Sequence, residues 1–185
     1  MRPFLVCLLL LTASLAFSAG PKPGSVIFIH PDGTSLNTWN AARIYLAGPD
    51  AMLEWDHLPH VGLYRSHYKD SLHPTSHGGG TVHAWGRKVV RDSYGMDGRT
   101  PIKSRSGADV SIMREAMAAG LAAGVINTGH IAEPGSGVFL ASSPRRTDFT
   151  GITKTILESG AEVILSGGEI YLLPTGVTGR HSAPA

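Results

Sequence analysis

An α/β fold, built as a doubly wound and mostly parallel sheet flanked by helices, is the architecture this sequence predicts. Three short apolar runs rich in β-branched residues, at 26–29, 122–127 and 163–165, are each followed by a polar, Gly-bearing loop, as buried parallel strands are. Segments of helical periodicity lie between them, and that alternation builds parallel layers covered by helices. No repeat or linker interrupts residues 24–170, so they read as one domain or part of one.

The chain begins with a secretory signal at residues 1–18. Arg2 supplies the positive start, Phe4 to Leu11 a short apolar run, and Ala16-Phe17-Ser18 a small-x-small cleavage site before Ala19. The run is too short to span a bilayer. The one cysteine, Cys7, lies inside it, which leaves the mature chain without disulfides or thiolate metal sites. A periplasmic or secreted location follows, with no membrane attachment after cleavage. Sixteen Lys+Arg against 14 Asp+Glu give a charge of +2, too little to attract nucleic acid or an acidic membrane. The 23 glycines and 12 prolines come without low-complexity runs and point to tight turns, not disorder.

In chain order, the strand at 26–29 opens onto His30-Pro31-Asp32-Gly33, a loop at a strand's carboxyl end, where open α/β sheets bind ligands. Asp32 is there either a turn residue or a metal ligand. Ser35 or Asn37 caps a helix through Trp39, Ala42, Arg43 and Tyr45 that Gly48-Pro49 stops. A shorter helix is expected at 50–55 and a strand at 61–68. Residues 89–106 lack periodicity and read as an exposed loop or short hairpin. A helix at 110–119 places Val110, Met113 and Met117 on one face, with Gly120 as its cap. The strand at 122–127 gives way to a loop at 128–134, and 138–142 reads as one or two helical turns. Phe149, Ile152 and Ile156 mark a further helix ended by Gly160, before the last strand and Gly167-Gly168-Glu169.

The richest stretch is PTSHGGGTVHAWGRK, from Pro74 to Lys88. Thr75 and Ser76 precede His77 and three glycines, Gly78 to Gly80, with a helix expected from Thr81 to Trp85 and closed by Gly86. Glycines let backbone approach a ligand, and free N–H groups at a helix start favour negative charge. Ser76 is therefore either a helix cap or a nucleophile placed beside an anion site. The pairs His57 with His60 and His73 with His77 have metal-compatible spacing, but no second cluster completes either site, and they read as ordinary surface or core histidines. His77 is placed to touch substrate beside Ser76.

Together these loops resemble the metal-dependent alkaline phosphatase family. VIFIHPDGT is similar to its opening strand and Asp-bearing turn, and NAARIYLAG to its next helix. Ser76, Thr81, Gly86 and Lys88 reproduce the intervals of its nucleophile motif, and AAGLAAGVINTGHIAEPGSGVF resembles its magnesium-binding loop. The resemblance covers most of residues 24–175. It implies a zinc- and magnesium-dependent phosphatase that hydrolyses small-molecule phosphate monoesters through a phosphoserine. Ser76 would be the nucleophile and a zinc ligand, with Thr75 as the other assignment. Asp32 would bridge zinc and magnesium, Glu133 and Ser136 would serve magnesium, and Arg146 or Arg145 would clamp the phosphate. A homodimer is the family's assembly.

The pattern departs from the family at several positions. Thr75 stands where an Asp usually precedes the serine, glycines replace small alanines after it, and Glu133 stands where an Asp or His is usual. The family's Asp-x-x-x-His, Asp-His and late His zinc ligands do not occur before Ala185. Residues 19–185 thus resemble the amino-terminal part of the family's domain, carrying half of its site. The alternatives are a catalytically inactive truncated domain, or a sulfatase or phosphodiesterase relative, although Ser76-His77-Gly78 lacks the sulfatase setting.

Overall fold

The structure, a computed structural model of the chain, describes residues 24–180, so the leader expected at 1–18 lies outside the described residues. Helix α1, Leu36–Ala47, starts at Ser35, whose Oγ accepts the N–H of Thr38 while the Thr38 hydroxyl accepts the N–H of Ser35. Gly48, at φ +92°, ends it by donating its N–H to the Ile44 carbonyl. A 3₁₀ turn, Glu54–His57, replaces the helix expected at 50–55. Asp56 in that turn pairs with Arg43, and Trp39 meets Trp55 edge-on at 4.9 Å, which ties the turn to α1.

Helix α2, Ser76–Trp85, is longer than the sequence suggests, because Gly78 to Gly80 lie inside it and not ahead of it. Close packing is the reason. A side chain at Gly78 would meet the Tyr68 ring at 2.7 Å, and one at Gly80 would meet the Pro134 carbonyl at 2.6 Å. Gly86, in the left-handed region at φ +62°, ends the helix as expected. Helix α3, Ile112–Ala118, is capped by the Ser111 hydroxyl, which accepts the N–H of Arg114.

Two strands, β1 (Gly124–His130) and β2 (Val163–Gly167), pair in parallel, with Gly124 opposite Val163 and Asn127 opposite Ser166. The register breaks between Asn127 and His130, so that His130 faces Gly167. The crossover carries α4, a single turn at Pro134–Gly137, and α5, Phe149–Leu157. The Asp148 carboxylate caps α5 by accepting the Gly151 N–H. Val125 and Ile164 turn toward the core while Ile126 and Leu165 face solvent, the two-residue alternation of a half-covered sheet. A parallel pair joined through a helix is the α/β architecture expected, in small form.

The core lies mainly between α2, α4 and α5, around Ala84, Trp85, Val138, Phe139, Ile152 and Ile156. Tyr94 joins it and Val89 is buried as well, which corrects the exposed-loop reading of 89–106, while the antiparallel Asp97–Thr100 bridge fits its short-hairpin alternative. Polar groups of that loop are buried because each finds a partner. The Thr81 hydroxyl donates to the Ser93 carbonyl and accepts the Gly95 N–H, and the Tyr94 hydroxyl donates to the Ala132 carbonyl.

The strands expected at 26–29 and 61–68 are absent. Val26, Ile27, Ile29, Val61 and Leu63 are exposed and belong to no helix or strand. Apolar composition favours a strand, but a strand exists only through a neighbour's ladder, and among the described residues β1 and β2 pair with each other alone. The helical turn expected at 138–142 forms four residues earlier, where Pro134 supplies the preset φ of a first helical position. β1 also runs on to His130, into the stretch read as a loop. Among the described residues, no helix is long and apolar enough to cross a membrane.

Candidate active site

Helix α2 starts at Ser76 because Thr75 is extended and held in place by Tyr68. The Tyr68 hydroxyl donates to the Thr75 carbonyl at 2.6 Å and accepts its N–H at 2.7 Å. The Thr75 hydroxyl donates to the Arg91 carbonyl at 3.1 Å and caps nothing. The first N–H groups of α2 therefore lack a side-chain partner, and they carry the positive end of the helix. Ser76 is half-buried at this end, and its hydroxyl makes no hydrogen bond among the described residues. Thr75 and Ser76 are thus distinguished by engagement: one hydroxyl is committed and the other is open.

A chain of polar side chains runs from this helix across the molecule. His77 donates its Nε2 hydrogen to Asp92 at 3.2 Å and accepts, at Nδ1, a hydrogen bond of 3.2 Å from Nη1 of Arg146. That pattern is a neutral imidazole with its proton on Nε2. Burial lowers the His77 pKa first; Asp92 opposes this, and the Arg146 charge adds to the lowering. Beyond Arg146, the Glu133 carboxylate lies 4.0 Å from Nη2 and 3.1 Å from Nε2 of His130. His130 is set by β1 and held between Phe149 and Tyr171 at ring distances of 5.3 and 4.9 Å.

Arg146 has five N–H donors and commits one of them to His77, since 4.0 Å to Glu133 exceeds a hydrogen bond. Its remaining fork suits two oxygens of a tetrahedral anion. Arg145, its neighbour, is exposed. The structure thus brings Arg146 and Glu133 together and joins Arg146 to the residue after Ser76. Ser136 sits in α4, where its hydroxyl accepts from the Asn127 amide at 2.8 Å.

Asp32 lies in an exposed turn closed by the Thr34 N–H on the Pro31 carbonyl and makes no hydrogen bond or ion pair with this group. Its loop reaches the site region through His30, whose ring lies 3.4 Å from the place of a Gly135 side chain. The sequence reading missed Asp92, His130 and Asn127. Asp92 falls in the loop set aside as exposed, and only its place fifteen residues after His77 could have drawn notice.

The oxygen donors do not close a metal centre. No three His, Cys, Asp or Glu side chains converge on one point among the described residues. Glu133 is paired with His130, Ser136 with Asn127, and Asp32 makes no hydrogen bond or ion pair with either. The residues as arranged do not fit the zinc and magnesium set that the resemblance implies.

Fold and site together define a parallel α/β unit that presents an open serine at a helix start, with an arginine hydrogen-bonded to the next residue, His77. The alkaline phosphatase family model matches residues 24–183, and the chain belongs to that family. The tissue-nonspecific alkaline phosphatase isozyme of Gallus gallus is 27% identical over 176 residues, covering 81% of this chain and 34% of that protein. The cold-active alkaline phosphatase of a psychrophilic Shewanella sp. superposes with a TM-score of 0.60 at 24% identity, covering 72% of this chain and 33% of that one. A mutant of the TAB5 alkaline phosphatase with Mg bound superposes at 0.59 and 20% identity, covering 71% and 36%. The chain therefore spans about a third of the length of these relatives.

Proposed function

We propose that this chain supplies the nucleophile and phosphate-binding face of a phosphomonoester hydrolase. The observation that carries the reading is the open Ser76 hydroxyl at the uncapped start of α2, with Arg146 held one residue away by His77. The phosphoryl group of a small phosphate ester rests on the first N–H groups of α2 and on the free fork of Arg146. Ser76 takes the phosphoryl group as the alcohol leaves, and water then releases inorganic phosphate from the phosphoserine. Positioning and charge complementarity supply most of the catalysis in such transfers.

The resemblance would give Asp32, Glu133 and Ser136 to zinc and magnesium, but they do not close a centre in this arrangement, so the reading rests on Ser76, the start of α2 and Arg146. Release through a signal at 1–18 into the periplasm or medium belongs to the same reading.

The test uses the full chain with p-nitrophenyl phosphate and with inorganic phosphate. Turnover is expected to be negligible with added zinc and magnesium. Phosphate binding should be measurable by ³¹P line broadening and weakened about tenfold in Arg146→Ala, but not in Arg145→Ala. Equal binding by Arg146→Ala and the parent chain sinks the phosphate face. Robust turnover abolished by Ser76→Ala would confirm the nucleophile and overturn the forecast of an inactive chain.

A further inference from the structure

His30 and His83 face each other through matching atoms. Nδ1 of one ring lies 3.0 Å from Nδ1 of the other, with the ring planes inclined at 71° and the centroids 4.9 Å apart. They are 53 residues apart in sequence and belong to different parts of the fold. His30 ends the extended 24–30 segment, two residues before Asp32. His83 lies two turns along α2 from Ser76.

Around them stand Phe28, with its centroid 5.2 Å from that of His83, and Tyr64 at 5.1 Å; Phe28 in turn packs on Phe139 at 5.6 Å. These rings limit how far either imidazole can turn away. No carboxylate contacts the pair among the described residues, and both rings are half-buried.

Two nitrogens at this separation match the bite of a chelate. With metal–nitrogen bonds near 2.0–2.1 Å, a right-angled pair of ligands sits about 2.9 Å apart and a tetrahedral pair about 3.3 Å apart. We propose that His30 and His83 form a two-imidazole site for a divalent transition-metal ion, Cu(II), Ni(II) or Zn(II), distinct from the phosphate face. The ion takes the place of the single hydrogen shared between the rings. That hydrogen passes to Nε2 of the ring that carried it, so both ligands bind as neutral imidazoles and no net proton is lost. Water fills the remaining coordination positions.

Such an ion would clamp the 24–32 segment onto α2. That segment has no strand ladder and exposes Val26, Ile27 and Ile29, so ring contacts and the histidine pair are its visible attachment to the body. The clamp would brace the Asp32 turn against the helix that begins at Ser76. Its chemistry is imidazole coordination and uses neither Glu133 nor Arg146.

The experiment is isothermal titration of the full chain with NiCl₂, paired with electron paramagnetic resonance of the Cu(II)-loaded chain. One ion per chain is expected, with two nitrogen ligands in the spectrum. His30→Gln and His83→Gln should each weaken Ni(II) binding at least about tenfold. A double variant, His57→Ala with His60→Ala, should bind as the parent does. His30→Gln lies on the extended segment, so its circular dichroism should match the parent and separate lost ligation from lost folding. Parent-like binding in a folded His30→Gln chain, a single-nitrogen spectrum, or no binding by the parent chain overturns the site. In those outcomes the rings are only hydrogen-bonded to each other.

Discussion

Adjacent glycines in α2 should respond in opposite directions to the same substitution. A methyl group at Gly79 would find only the Tyr68 hydroxyl, at 3.6 Å, which is ordinary contact. At Gly80 it would sit 2.6 Å from the Pro134 carbonyl oxygen and 2.9 Å from a Val138 methyl group. The helix term is the same for both, since replacing Gly by Ala in a helix interior gains about 1 kcal/mol. Overpacking costs about 1–3 kcal/mol, and the upper part applies where backbone must move. Gly79→Ala is therefore expected to stabilise by up to about 1 kcal/mol, and Gly80→Ala to destabilise by about 1–2 kcal/mol. For a domain of this size each kcal/mol moves Tm by about 2–4 °C, so the variants should melt at least about 2 °C apart. Thermal unfolding followed by circular dichroism reads the difference. The same displacement would shift α4 from α2 and carry Glu133 away from the Arg146 group, so phosphate binding should weaken in Gly80→Ala alone. Equal melting of the two variants would refute the packing of α2 on α4.

Other perturbations test the core and the histidines. Ile156, fully buried on the inner face of α5, should cost about 2–5 kcal/mol when changed to alanine, while its exposed neighbour Leu157 should cost less than about 0.5 kcal/mol. Urea unfolding of the two variants makes that comparison. The pKa of His77 lies below its ordinary value, chiefly through burial, so the unfolded chain binds a proton more readily than the folded one. Its stabilising share is present above about pH 6.5 and is lost as pH falls toward the lowered folded value. His83, lowered by burial and by His30, acts in the same sense. Urea midpoints from pH 7.5 to 5 should fall, and less steeply in His77→Gln; an unchanged slope there would remove His77 from the account.

What the sequence revealed was mostly local. Ser35 and Gly48 bracket α1, Ser111 caps α3, Gly86 closes α2, and the spacing of Phe149, Ile152 and Ile156 marks α5, because each signal acts within a few residues. Pairing was harder to read. Residues 26–29 and 61–68 carry strand composition without neighbours that make them strands. The loop at 89–106 looked solvent-exposed because it is polar. Its burial rests on partners such as Thr81 for Gly95 and Ala132 for Tyr94, which lie 14 and 38 residues away. At the site, the family resemblance points to Ser76, Glu133 and Arg146 or Arg145, but not to the hydrogen bonds that commit Thr75 and leave Ser76 open.

The choice between Arg145 and Arg146 shows how that buried loop reaches the site. Adjacent residues cannot be separated by sequence interval, but the backbone sends them to different sides. Ser143 donates its hydroxyl to the Arg145 carbonyl at 2.9 Å and accepts the Arg145 N–H at 3.2 Å, which makes a tight turn. The Ser143 N–H in turn donates to the Tyr94 carbonyl at 2.9 Å, inside the loop that reads as exposed. Tyr94 is buried, and its hydroxyl is fixed on Ala132, next to Glu133. Tyr94 therefore anchors both the turn that aims Arg146 at His77 and the carbonyl beside Glu133. Two groups distant in sequence share one buried ring as their reference point, so the arginine's aim depends on core packing as much as on its own position in the chain.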